Sequence, residues 1–66
     1  MRLIKTLKSP DNVRIAAVYH DSEWGEYVVQ HYEQGRYQAN ADYHTDDRQD
    51  ALGTAGIWVG DVVGAA

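Results

Sequence analysis

Sixty-six residues hold room for one hydrophobic core, and a domain of this size buries roughly 60% of the surface its unfolded chain exposes. The lack of cysteine excludes a disulfide framework and points to a reducing, cytosolic setting, and no apolar run reaches the roughly 18 residues of a membrane span. The net charge of −4 is unevenly placed: Arg2, Lys5, Lys8 and Arg14 face Asp11 alone at the start, whereas from Ile15 onward two basic residues face nine acidic ones, a balance that argues against general nucleic-acid affinity.

A weak alternation over residues 2–7 predicts a first strand, closed by Ser9-Pro10-Asp11-Asn12, whose Pro and Asx residues favour a turn. Residues 13–20 give the clearest strand signal, with Val13, Ile15, Ala17 and Tyr19 on one face and Arg14, Ala16, Val18 and His20 on the other. The polar stretch Asp21-Ser22-Glu23-Trp24-Gly25-Glu26 then leads to a β-prone segment over 27–32, so a hairpin is expected. Glu33-Gln34-Gly35-Arg36 supplies a second turn, with a glycine suited to positive φ. After it, Tyr37, Ala39, Ala41 and Tyr43 alternate with Gln38, Asn40, Asp42 and His44, which predicts a strand over 37–44 with one buried and one wet face.

Thr45 is a suitable N-cap, and Asp46, Asp47 and Asp50 place negative charge where the helix dipole favours it. A helix is expected over 46–59, with its pattern extending to 63. Its broad apolar face gathers Ala51, Leu52, Ala55, Trp58, Val59, Val62, Val63 and Ala66. Gly53, Gly56, Gly60 and Gly64 collect on the other side beside Ile57 and Asp61. Each interior glycine costs about 0.5–1 kcal/mol against alanine, so two expectations arise: a short helix with an irregular tail, or a ridge through Gly53, Gly56, Ile57 and Gly60 that lets a second copy approach closely as a homodimer. Residues 1–66 are thus expected to form a single α+β domain, a three- or four-stranded antiparallel meander with one C-terminal helix packed on one face.

The chemistry-bearing residues form no catalytic pattern. His20, His31 and His44 lie 11 and 13 residues apart without a cysteine, which does not match zinc-ligand spacing. Asp42, Asp46, Asp47 and Asp50 cluster at the strand-to-helix junction without calcium-loop spacing; helix electrostatics explain Asp46 and Asp47, and a negative patch for a basic partner is the alternative. Ser9 and Ser22 sit in turns with no nucleophile elbow, and the glycines do not follow the dinucleotide fingerprint. Neither an enzyme nor a cofactor is expected. The tyrosines at 19, 27, 32, 37 and 43 fall on the three central strands, where several are expected to build the core against the helix. Trp24 is expected to fold back over the sheet; its alternative role is an exposed anchor for a partner.

The order of strands and turns, with Tyr43-x-Thr45-Asp46-Asp47-x-x-Asp50-Ala51 at the last junction, resembles the small DNA-binding domains of the AP2 and phage-integrase arm type over residues 13–56. That resemblance implies a sheet face laid in the DNA major groove, presenting Arg14, Gln30, Gln38 and Asn40 together with Asp42. The opening Met1-Arg2-Leu3-Ile4-Lys5-Thr6-Leu7 and the later Ile15-Ala16-Ala17-Val18-Tyr19 are similar to small phage-encoded anti-CRISPR proteins of the type I-F group. This second likeness implies a phage or prophage origin and a protein-binding inhibitor whose sheet face makes the contact. The leading expectation is a non-catalytic bacterial or phage accessory protein that binds another protein through Trp24, Gln30, Tyr32, Gln38, Asn40, Asp42, Asp46 and Asp47. DNA binding through the same sheet face is the alternative.

Overall fold

The computed structural model describes residues 1–60. Strand β1 (Arg2–Lys8) pairs antiparallel with β2 (Arg14–Asp21), which pairs antiparallel with β3 (Glu26–Glu33). The far edge of β3 is lined by β4 (Arg36–Tyr37) and β5 (Tyr43–Thr45), both antiparallel to it, and helix α1 (Arg48–Trp58) follows. The architecture is the α+β one expected, a four-stranded antiparallel meander plus one C-terminal helix.

The connections follow from their side chains. Ser9 Oγ donates to Asp11 Oδ1 at 2.6 Å and accepts from Arg14 N at 3.0 Å, while Asp11 Oδ1 also accepts from Val13 N at 3.0 Å. These bonds close the first turn and, with the Ser9 hydroxyl contributing most, hold the Asp11 carboxyl below its ordinary value. Between β3 and β4, Gln34 and Gly35 both have positive φ, 52° and 78°, the geometry of a two-residue type I′ turn that matches strand twist. In β1 the pairing shifts between Leu3 and Lys5, so Ile4 is the extra residue of a β-bulge and packs against the core.

Pairing register assigns the faces. Ala16, Val18 and Val29 point toward α1 and form the core with Ala51, Ala55 and Val59, against which Ile4, Leu7, Tyr27, Leu52 and Trp58 pack. Ile15, Ala17, Tyr19, Val28, Gln30 and Tyr32 therefore belong to the opposite, open face. The core is light: Val18, Val29 and Val59 are its largest fully buried side chains. Of the tyrosines expected there, Tyr27 alone packs on it. Tyr19 and Tyr32 lie on the open face, and Tyr37 and Tyr43 are exposed.

Two expected elements are corrected. The strand foreseen over 37–44 is broken: after Tyr37 the chain turns through a single 3-10 turn, Ala39–Ala41, and rejoins the sheet as β5. Alanine and asparagine have little β preference, and Ala41 N and Asp42 N bond back to the carbonyls of Gln38 and Ala39 at 2.9 and 3.3 Å in place of a ladder. The helix begins at Arg48 and not at 46, because Thr45 is held in β5 opposite Tyr27. Asp47 is the N-cap; its Oδ1 accepts from Gln49 N at 2.9 Å and Asp50 N at 3.4 Å. α1 ends at Trp58, and Gly60, at φ 73°, adopts the left-handed conformation that stops a helix. Gly60 is thus outside the helix and does not extend a ridge with Gly53 and Gly56. Val62, Val63, Gly64, Ala66 and Asp61 lie outside the described residues.

Candidate functional site

The sequence-derived contact residues separate into three places. At one end of the sheet, the β2–β3 hairpin closes with Asp21 opposite Glu26. Asp21 Oδ1 accepts from Glu23 N at 3.1 Å, and Gly25, at φ 64°, completes the turn. Trp24 stands at this tip 73% exposed, which corrects the expectation that its ring folds over the sheet. A four-residue turn projects beyond the strand ends, so the side chain has no sheet surface beneath it. Because Tyr27 is opposite Thr45, Asp46 and Asp47 leave the sheet at this same end. Glu26 Oε1 and His44 Nδ1 are 3.0 Å apart on its flank.

Gln30 and Tyr32 occupy the open face, where Tyr32 Oη donates to Gln30 Oε1 at 3.1 Å and the Tyr32 and Tyr37 rings lie 5.4 Å apart. Gln38, Asn40 and Asp42 stand apart from both groups, on the 3-10 turn and its flanks, so they do not form a wet strand face with Gln30. Gln38 N donates to His31 O at 2.8 Å, and the Tyr37 hydroxyl donates to Asp42 Oδ2. That bond to the carboxylate, with burial adding to it, pushes the Tyr37 phenol up to about 12. Tyr43 Oη likewise donates to Asp50 Oδ2 at 2.6 Å, which raises its pKa.

Arg14 departs from the DNA-contact set. It stands opposite Glu33 on the α1 side, not beside Gln30. Its Nε lies 3.3 Å from Glu33 Oε2 and its guanidinium 4.7 Å from the Trp58 ring centroid. Trp58 in turn donates from Nε1 to Tyr32 O at 3.2 Å, so this corner is tied down by structural contacts. A hollow of about 500 Å³ beside it, bounded by the 9–13 turn and Val59, is lined by the already paired Arg14 and Glu33.

The three histidines are dispersed. His20 packs on Tyr27, with ring centroids 4.8 Å apart, His44 faces Glu26, and His31 is 4% exposed, edge-on to Trp58 at 4.9 Å. Burial pushes the His31 imidazole below its ordinary pKa, partly offset by the Ala41 backbone and the Asp42 carboxylate. His31 Nδ1 and Asp42 Oδ1 are buried without a hydrogen-bond partner. No group of three or more His, Cys, Asp or Glu residues among the described residues is arranged to hold a metal ion.

On the helix, Gly53 and Ile57 are exposed and Gly56 is half-buried. No helix among the described residues is long and apolar enough to cross a membrane. Sequence reasoning did not single out Leu3, Ile15, Tyr19 and Val28 as one surface; the uninterrupted apolar run Ile15–Tyr19 was the available signal. Comparison of the chain with protein-family models, with curated proteins and with solved structures finds no match.

Proposed function

We propose that the chain is a non-catalytic protein-binding module that offers Trp24, within a rim of carboxylates, to a partner with a positively charged surface. The observation that carries this reading is the exposed Trp24 ring at the tip of the β2–β3 hairpin, whose turn is braced by the bond from Glu23 N to the Asp21 carboxylate. Tryptophan is enriched among interface hot spots, and its large side chain, with two torsions, loses little freedom for the area it contributes. Asp21, Glu23 and Glu26 on the hairpin, with Asp46 and Asp47 beside it, give the surround a negative sign. Such a surround speeds encounter with a cationic partner.

Capture from a bacterial lysate by the immobilised chain tests the proposal. The partner should elute with salt, and Trp24→Ala and Asp46→Ala/Asp47→Ala should each lose it. Equal recovery by the parent and both variants would overturn the assignment. The alternative of DNA binding through the open face has less support, since Arg14 is turned to the helix side and Lys8 is the one Lys or Arg that strand register leaves on the open face. Retardation of labelled duplex at low salt, lost steeply as salt rises, would restore it.

A further inference from the structure

Strands β2 and β3 carry more apolar surface than α1 covers. In an antiparallel sheet with one wet face, apolar and polar residues alternate. β2 instead reads Ile15-Ala16-Ala17-Val18-Tyr19 without a polar break, and β3 contains Tyr27-Val28-Val29. Alternate members of these runs make the core under the helix. The others, Ile15, Ala17, Tyr19 and Val28, form a strip on the open face with Leu3, which is 51% exposed. Ala17 and Val28 are buried there, a floor between taller neighbours.

We infer that a second copy of the chain packs on this face, sheet against sheet. The two-fold axis lies between the sheets and crosses the strands at the level of Val18 and Val29, which are register partners. This placement sets Tyr19 of each copy over the small Ala17 of the other, so large and small side chains interdigitate, as facing sheets about 10 Å apart require. It also fits the charges. Lys8 stands next to Ile15 at one end of the face, and Asp21 and Glu26 close the other. The crossing axis brings the Lys8 end of one copy over the carboxylate end of the other, whereas a two-fold axis along the strands would set Lys8 ends together.

The size is that of a weak pair. The three long strands, β1 to β3, about 4.8 Å apart and about 27 Å long, present roughly 400 Å², hence about 800 Å² for the pair before the short β4 and β5 add to it, close below the roughly 1,000 Å² of a stable specific interface. A core whose largest fully buried side chains are valines gains from this added burial, since small domains commonly rely on association.

Sedimentation equilibrium from about 1 to about 300 µM protein tests the inference. The expected result is a mass rising to twice that of the 7.4 kDa chain. Tyr19→Lys should weaken the dimer by about 30-fold or more with the far-ultraviolet circular dichroism of the parent retained. If Tyr19→Lys does not fold, Leu3→Lys on the same strip takes its place. Trp24→Ala and Ile57→Lys should leave the dimer unchanged. A mass of 7.4 kDa throughout, or a dimer that Ile57→Lys breaks and Tyr19→Lys does not, overturns the inference; the latter would put the second copy on the outer helix face. Asp21 and Glu26 border both surfaces, but Trp24 itself stands beyond the strand ends and outside the packed faces, so a monomer would leave the lysate-capture result standing.

Discussion

The same substitution, glycine to alanine, should move stability in opposite directions at Gly53 and Gly60. Gly53 is exposed within α1, and a Cβ built on it meets nothing within 4 Å. Alanine there introduces no clash and removes freedom from the unfolded chain, a gain of about 0.5–1 kcal/mol. At Gly60 there is equal space, but φ is 73°, and a left-handed backbone costs an L-residue roughly 1–2 kcal/mol. In a domain of this length about 1 kcal/mol shifts the midpoint of thermal unfolding by roughly 4–8 °C. Gly53→Ala should therefore melt above the parent and Gly60→Ala below it, with urea midpoints in the same order. A Gly53→Ala variant that melts lower would refute the reasoning, because it would require another backbone packed against that position. A neutral Gly60→Ala would mean that the helix does not stop there.

Gln34 occupies the first central position of the type I′ turn with φ 52°, where Asn is preferred. Gln34→Asn should raise stability by roughly 0.5 kcal/mol, read from urea unfolding; no gain would contradict the turn assignment. The His31 pKa is lower in the fold than its ordinary 6.5, so the unfolded chain binds the proton more readily. Stability should be complete above pH 6.5 and decline as pH falls through the folded value. Urea midpoints across that range should show this decline in the parent and a smaller one in His31→Gln, and identical profiles would count against burial as the cause. Tyr37 has its pKa raised from 10 to about 12 by the bond to Asp42, so its contribution is whole below pH 10 and lost as pH rises to about 12. Ultraviolet titration should contain a component near pH 12 that Tyr37→Phe removes; survival of that component would assign it to another tyrosine.

The parts of the fold legible in the sequence are those where local preference and packing agree. β2 and β3 are rich in β-branched and aromatic residues, and the spacing of Ala51, Ala55 and Val59 matches the buried face of α1 and its C-cap. The break after Tyr37 was concealed because Tyr37, Ala39, Ala41 and Tyr43 alternate as a strand does, although alanines at the middle positions supply no side chain that prefers the pleat. The cap was misplaced by two residues because Thr45 and Asp47 are both good caps. Strand pairing decides between them, since Thr45 is committed to Tyr27, and its Oγ1 accepts from Asp47 N at 3.1 Å. For the site, the sequence identifies Trp24 as unusual but not its outward direction. It groups Arg14 with Gln30, but alternation fixes faces only within one strand; the register, with Arg14 opposite Glu33 and Ala17 opposite Gln30, places them on opposite sides of the sheet.

The interrupted last strand has a consequence for how copies of this chain can meet. A continuous strand at that margin would offer an unbroken row of amide and carbonyl groups, a template on which further chains could stack without limit. The 3-10 turn at Ala39–Ala41 removes the middle of that row. At the opposite margin, Arg2, Lys5, Lys8 and the bulge at Ile4 make β1 equally unwelcoming. With both margins blunted, the sheet-to-sheet pairing inferred above would use a face, where a two-fold contact consumes the surface that makes it. Growth would then end at a pair, with the broken strand denying a fibre its edge.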